Sequence, residues 1–166
     1  DPEAIIATGM NRLYADENNA ANLFQRRDEI LNDVTQTNSL AFLALTMGCA
    51  QCHDHKFDAI PQTDYYHMRA FFAPIVERND LPVASAEEVA SYDRQYEAWD
   101  RATSEIRQRM DDLLSELRDK SNQKNLSRFR EEIRACYLTP PAERSPFQEQ
   151  MARMVDKQVS LWFDTD

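Results

Sequence analysis

The chain has 166 residues, of which 42% are hydrophobic, which is enough for one packed core and too little to expect two independent domains. Its 19 basic and 29 acidic residues give a net charge of −10, which argues against binding to nucleic acid or to an anionic membrane surface. No apolar run is long enough to span a membrane, and the opening residues Asp1-Pro2-Glu3 lack the features of a signal peptide.

The glycine content indicates the fold class. Only 2 residues of the chain are glycine, and tight β-hairpin turns commonly depend on glycine. We therefore expect an all-α fold, organised as a single domain over residues 1–166. Its helices should be separated by Pro, Asn and Ser.

The first strong helical pattern lies in the N-terminal third of the chain. It predicts an amphipathic helix from about Arg26 to Met47, ended by Gly48 in the position after a helix where glycine is favoured. A short helix should follow Pro61, capped by Thr63, and residues 75–85 should form a loop. The predicted apolar stripe of the first helix consists of Ile30, Val34, Thr37, Ala41 and Leu45.

A second pattern indicates a long helix. Ser85 followed by Glu88 matches a capping box, and apolar residues then alternate steps of three and four from Val89 to Leu117. The polar run 121–125 looks like a turn. We therefore predict an antiparallel helical hairpin as a subregion over 86–138, in which residues 86–120 pack against 126–138.

The last helix should restart at Ser145-Pro146, an N-cap followed by proline at the first helical position. Its predicted inner face consists of Phe147, Met151, Met154 or Val155, Gln158 and Leu161.

The chemically informative residues are Cys49, Cys52 and His53, in the order Cys-Ala-Gln-Cys-His. Cys-x-x-Cys-His is the attachment motif of c-type haem. Two thiols at this spacing can add to the two vinyl groups of the haem, and the next residue can place an imidazole under the iron. The motif predicts one covalent haem c, with Cys49 and Cys52 as thioether residues and His53 as an axial iron ligand.

Three other readings of the cysteines stay open. Cys49, Cys52, His53 and His55 form a ligand set suited to tetrahedral zinc, although structural zinc sites normally draw their ligands from two separate segments. A thioredoxin-like dithiol would follow a β-strand, which an all-α chain does not provide. The third reading is a structural disulfide or inert thiols. Cys136 has no nearby partner and is expected to be a buried, inert thiol.

The surroundings of the motif extend this interpretation. Residues 46–66 read Thr-Met-Gly-Cys-Ala-Gln-Cys-His-Asp-His-Lys-Phe-Asp-Ala-Ile-Pro-Gln-Thr-Asp-Tyr-Tyr. This stretch resembles the planctomycete-type cytochrome c domain family PSCyt2 (DUF1549), and it departs from the family pattern at Ala59, where the family usually has proline. Residues 7–12 and 143–146 also resemble family landmarks. The resemblance implies a helical cytochrome c-type domain, and a fragment of a larger protein exported to the periplasm or the cell exterior.

The function expected from these observations is electron transfer to a redox partner protein or to other domains of the same parent protein. The alternative is a haem enzyme or a ligand sensor with an open iron position. The two functions differ in whether a second protein side chain binds the iron. The candidates for this second axial ligand are His67 and then Met68. His55 is expected to donate or accept a hydrogen bond to a haem propionate or a backbone group rather than to bind iron.

Overall fold

The computed structural model describes residues 2–15, 17, 19–78 and 83–165 of the chain. These residues form six α-helices and three short 3-10 turns and contain no strand, so the predicted all-α class is confirmed. Within the described ranges, no helix combines the length and the apolar character needed to cross a membrane. The helices are α1 (Pro2–Thr8), α2 (Leu23–Leu43), α3 (Gln62–Phe72), α4 (Ala86–Leu126), α5 (Glu131–Leu138) and α6 (Pro146–Thr165).

The main core lies where α5 and α6 pack together over the start of α2. Met151 and Val155 of α6 are fully buried, and the predicted inner face of this helix is confirmed at these two positions and at Gln158. The predicted Leu161 has a side chain outside the described residues. Cys136 is buried in this core, as expected. The other buried members of the cluster are Ala20, Leu23, Ile133 and Val159.

Two of the predicted helix starts are confirmed by their hydrogen bonds. Ser85 accepts from the backbone N–H of Glu88 at 3.3 Å, and the Glu88 carboxylate accepts from the N–H of Ser85 at 2.9 Å. Ser145 and Gln148 make the same reciprocal pair of bonds ahead of Pro146. Each pair satisfies backbone donors that the first helical turn leaves without a partner. Positions 79–82 of the predicted loop before Ser85 lie outside the described residues.

The end of α2 differs from the prediction. The helix stops at Leu43, and Ala44 takes the left-handed conformation with φ 53° that we expected at Gly48. Gly48 lies instead in a 3-10 turn, Met47–Gln51, where a Cβ atom would come within 2.8 Å of the Gln36 side chain. The earlier stop turns the chain so that Met47 becomes buried.

The inner face of α2 is also rotated relative to the predicted stripe. Leu31, Val34, Thr35 and Ser39 are among its buried residues, whereas Thr37, Ala41 and Leu45 are exposed. The prediction is correct only at Val34. The physical reason is that Thr35 and Ser39 bury their hydroxyls at low cost by donating to the helix backbone, to the Leu31 and Gln36 carbonyls. The apolar residues at the end of α2 are left on the surface.

The predicted turn over 121–125 is wrong, because α4 runs without a break through it for 41 residues. Asn125 is buried and donates to the Ser121 hydroxyl one turn earlier, which supports the helical path of these turn-prone residues. The returning helix α5 has only 8 residues and packs mainly against α6. A helix of that length, about 12 Å, covers a small part of α4, which is about 60 Å long. The hairpin expected over 86–138 therefore does not form as predicted.

Candidate functional site

The Cys-x-x-Cys-His motif begins on the 3-10 turn Met47–Gln51, which packs against α2 and α3. Met47 and Ala50 face inward and are buried against Tyr65 of α3, whose side chain is fully buried. Cys49 and Cys52 are free and exposed. The turn therefore has a buried apolar side, and both thiols lie exposed on or just after it.

The ring of His53 is oriented by its own backbone neighbourhood. Nδ1 lies 2.7 Å from the carbonyl oxygen of Asp54, a distance at which the ring N–H donates to that oxygen. This bond fixes the tautomer with the proton on Nδ1 and leaves the lone pair on Nε2. Histidines that bind a metal commonly hold their second nitrogen in this way. His53 is exposed, so Nε2 is accessible as a ligand atom.

His55 is used differently, because both of its ring nitrogens already have partners. Nδ1 accepts from the backbone N–H groups of Asp58, at 2.9 Å, and of Phe57, at 3.3 Å. Nε2 lies 3.1 Å from the Thr46 hydroxyl, to which it donates in this tautomer. Only 7% of the His55 side chain is exposed. The sequence suggested that His55 would bond to a haem propionate or to a backbone group, and these hydrogen bonds are of the backbone kind.

His55 thus holds the loop after the motif in a closed shape. Its own backbone N–H donates to the Ile60 carbonyl at 2.9 Å, which brings the end of the loop back to its start. The Asp58 carboxylate lies 3.4 Å from Nδ1, but an Nδ1 atom that accepts from two N–H groups is unprotonated. His55 therefore closes the loop through hydrogen bonds to its backbone.

A second set of hydrogen bonds fastens the motif to α3. The Asp54 carboxylate accepts from the backbone N–H of Gln62, the first residue of α3, at 2.8 Å. The Gln51 carbonyl, between the two cysteines, accepts from the Gln62 side chain at 3.0 Å and from the Tyr66 hydroxyl at 3.1 Å. The side chain that caps α3 is therefore Asp54, which accepts from a backbone N–H of the first turn, and not the predicted Thr63. The backbone between Cys49 and His53 is consequently tied to a regular element.

Tyr65 supports the motif from below. Its hydroxyl donates to the Asn32 side chain of α2 at 2.8 Å, and burial raises the pKa of this phenol above its ordinary value. The ring meets that of Tyr66 edge to face, with centroids 5.2 Å apart. Tyr65 therefore stays neutral and links α3 to α2 beneath the turn.

Exposed apolar side chains lie on both sides of the motif in sequence. Four come from the end of α2 and the residues after it, and Phe57, which is 84% exposed, comes from the loop closed by His55. Single apolar residues on a surface are ordinary, but five exposed ones within about ten positions of the motif make this segment a candidate binding region. We call these residues the motif patch: Leu40, Phe42, Leu43, Leu45 and Phe57.

The two candidates for the second axial ligand lie on α3 in different environments. The His67 side chain is 80% exposed, and Nδ1 lies 3.7 Å from the Asp64 carboxylate. Two residues after the buried Tyr65, His67 is on the opposite face of the helix. Met68 packs instead against the small core of Met47, Ala50 and Tyr65. Iron binding by either residue stays a prediction.

The geometry bears on the alternative readings of the cysteines. In the described ranges no three His, Cys, Asp or Glu side chains are grouped as ligands of a single metal ion, and His55 has both nitrogens engaged. The engagement of both His55 nitrogens disfavours the zinc ligand set that includes His55. The motif follows a helix and lies in a 3-10 turn, which is not the strand-to-helix position of a thioredoxin dithiol.

The sequence reasoning missed the motif patch and the anchoring role of Asp54. A signal for the patch was present, because residues 41–45, Ala-Phe-Leu-Ala-Leu, are apolar all round and one helix face cannot bury them. The bond from Asp54 to the start of α3 spans eight positions and a proline, and no local spacing rule predicts it.

Part of the chain matches a known protein family. Residues 1–77 match the family model PSCyt2, described as a protein of unknown function (DUF1549). No curated protein and no solved structure matches the chain. The matched region includes the whole motif and α3 and stops before α4, so the expected landmark at 143–146 lies outside it. The resemblance of residues 1–77 to this family is thus supported.

Proposed function

We propose that this chain binds one haem c covalently through Cys49 and Cys52, with His53 as an axial ligand, and that it transfers electrons. The observation that carries the proposal is the state of His53, whose Nδ1 is held by the Asp54 carbonyl while Nε2 stays accessible. A histidine that served only the fold would be expected to use both nitrogens, as His55 does.

Two further features fit a haem. The thiols of Cys49 and Cys52 are exposed on one anchored turn, so attachment does not require the turn to unfold. The motif patch supplies apolar surface for a large flat cofactor, and covering that surface removes it from water. When bound, haem supplies reversible one-electron chemistry at its iron, with a potential set by axial ligands, burial and hydrogen bonding.

The residues of the chain then have distinct roles. Cys49 and Cys52 hold the cofactor, and His53 binds its iron while the Asp54 carbonyl keeps the ring oriented and increases its basicity. The net charge of −10 steers a basic partner protein toward the surface. In this proposal the protein works outside the cytoplasm, in the periplasm or the cell exterior, where haem c is attached.

The test of attachment uses coexpression with haem-attachment machinery, with and without a signal sequence. We expect haem to remain with the polypeptide after acid-acetone extraction of the exported protein, and not when it stays in the cytoplasm. Cys49→Ser and Cys52→Ser should each remove one thioether bond, and the double variant should lose covalent haem. Cys136→Ala is the matched control, because this cysteine lies in the main core away from the motif. Haem that extracts fully from the wild-type protein would refute the proposal.

A second candidate function is ligand binding or catalysis at an open iron position. The observation in its favour is that His67 lies on the face of α3 opposite Tyr65, while Met68 is packed in the core beneath the motif. Absorption spectra with and without CO or cyanide separate the two functions. A low-spin iron that does not bind CO supports electron transfer. A high-spin iron that binds CO rapidly and turns over peroxide supports the second candidate.

A further inference from the structure

The most extended uncovered surface of the described chain is one face of α4. Of residues 86–126, only Asn125 is buried, so most of the helix projects beyond the core. The large residues at the inner positions of its seven-residue repeat are exposed, including Ile106 at 61% and Leu113 at 77%. We call this face the α4 stripe: Tyr92, Tyr96, Trp99, Thr103, Ile106, Met110, Leu113 and Leu117.

The stripe has the spacing of a two-stranded coiled coil. Its residues alternate at three and four positions, so they fall on one seam of a helix that supercoils with a partner. The threonine at its centre, Thr103, already donates its hydroxyl to the Trp99 carbonyl at 2.8 Å. It can therefore be buried without an unsatisfied donor. The short helix α5 packs on α6 and does not cover the seam.

We propose that the α4 stripe binds the α4 stripe of a second copy of this chain, in an antiparallel coiled coil. The halves of the stripe are complementary in size. Its N-terminal half carries the aromatic rings of Tyr92, Tyr96 and Trp99, and its C-terminal half carries flexible or aliphatic side chains. An antiparallel pair sets each bulky residue against a smaller one: Tyr92 against Leu117, Tyr96 against Leu113, Trp99 against Met110 and Thr103 against Ile106.

The charges beside the seam select the same arrangement. Asp100 and Arg107 lie on the same side of the stripe, each one position after a stripe residue. In an antiparallel pair this side of one helix lies next to the same side of the other helix. Asp100 of each copy then faces Arg107 of the other copy, which gives two such contacts by symmetry. These two residues already form an ion pair within one helix, and Arg107 covers the Trp99 ring at 4.4 Å. If one helix slid along the other by seven residues, Arg107 would lie opposite Arg107 in one direction, and Asp100 would lie opposite Asp100 in the other direction. The charges therefore specify one register.

A parallel pair lacks both kinds of complementarity. It would stack each bulky residue on its own copy, Trp99 on Trp99 and Tyr96 on Tyr96. It would also bring Glu88 of one chain next to Asp93 of the other, which is a like-charge contact. The antiparallel register overlaps the helices over almost their whole length, from residue 86 to 123.

The first test is the mass of the 166-residue chain in solution, by sedimentation equilibrium under reducing conditions. It does not depend on haem, so its outcome is separate from that of the proposed function. We expect a monomer–dimer equilibrium between about 1 and 200 µM. Ile106→Glu should weaken the dimer by at least about 100-fold, because each dimer buries two copies of this side chain. The matched control Ser115→Glu adds the same charge on the opposite face of α4 and should change the affinity less than about twofold.

The second test fixes the orientation. In a Cys49→Ser, Cys52→Ser background, chains carrying Thr103→Cys are mixed with chains carrying Ile106→Cys and oxidised. An antiparallel pair gives the mixed disulfide, whereas a parallel pair gives only the two symmetric products. Arg107→Glu should weaken the dimer about tenfold, and Asp100→Lys in the same chain should restore it. A chain that stays monomeric throughout, a dimer unaffected by Ile106→Glu, or symmetric disulfides alone would each overturn the proposal.

Discussion

Asp54 caps α3 from a position eight residues before the helix, with its carboxylate 2.8 Å from the backbone nitrogen of Gln62. The carbonyl of the same residue accepts from the His53 ring at 2.7 Å. One residue therefore links the orientation of the expected iron ligand to the start of α3.

Replacing the Asp54 carboxylate should destabilise the protein, because it removes the hydrogen bond to the start of α3. Asp54→Ala removes a helix-capping acceptor and should lower the free energy of unfolding by about 1 kcal/mol. Asp54→Asn keeps an acceptor oxygen and should recover most of the loss. Thermal or urea unfolding measures both changes, and Asp33→Ala, at an exposed position on α2, serves as the control. Equal stability of Asp54→Ala and the wild-type protein would show that the bond contributes nothing.

His55 should act through the loop rather than through iron. His55→Ala leaves the N–H groups of Asp58 and Phe57 without their acceptor, and should cost about 1 kcal/mol of stability because water partly replaces the ring. The amide oxygen of His55→Asn can take the place of Nδ1 and should restore part of it. In the haem-loaded protein, neither variant should alter the axial-ligand spectrum. A switch of spin state in His55→Ala would contradict this role.

The left-handed residue at the end of α2 offers a stabilising change. Ala44 holds φ at 53°, which costs a residue with a Cβ atom about 1 kcal/mol relative to glycine. We expect Ala44→Gly to raise the free energy of unfolding by up to this amount. The matched variant Ala41→Gly, inside the same helix, should lower it by about 1 kcal/mol. Chemical denaturation measures both, and the two changes must have opposite signs.

Stability should also depend on pH through Glu149. Hydrogen bonds from Arg153 and Arg144 lower the pKa of this carboxyl group below its ordinary value. The contribution of Glu149 to the free energy of unfolding is present above about pH 4.3, the pKa of a glutamate in the unfolded chain. It is lost as the pH falls below this value and through the lower pKa of the folded state. Glu149→Gln should therefore destabilise the protein near pH 7 by about 1–2 kcal/mol and much less near pH 2.

The control for this pH dependence is Glu143→Gln, at an exposed position that makes neither of those bonds. Unfolding followed by circular dichroism at several pH values measures the difference. If the Glu149→Gln protein and the wild-type protein lose stability in parallel on acidification, then Glu149 does not carry the effect.

The features predicted correctly from the sequence are those set by local chemistry. The capping residues at Ser85 and Ser145 and the burial of Met151 and Val155 follow from spacing alone. The wrong turn at 121–125 reflects a limit of local propensity. Helix propensities differ by only a few tenths of a kcal/mol among ordinary residues, so packing decides whether a polar run such as 121–125 breaks a helix.

In the candidate site, too, some features follow from local spacing and others depend on how the chain packs. Cys49, Cys52 and His53 could be named as candidates from their spacing, because haem attachment would require that spacing. Their support could not, because the bonds of Asp54 to Gln62 and of Gln51 to Tyr66 depend on how α3 folds back onto the turn. Those contacts join residues that no helical or strand period relates.

The length of α4 also has a mechanical consequence. The helix is fixed to the core near Asn125 and Leu126, and its other end is about 60 Å away. A tilt of about 5° at the fixed end displaces the far end by about 5 Å over that length. A small change in the packing of α4 on α6 would therefore be enlarged at Ser85.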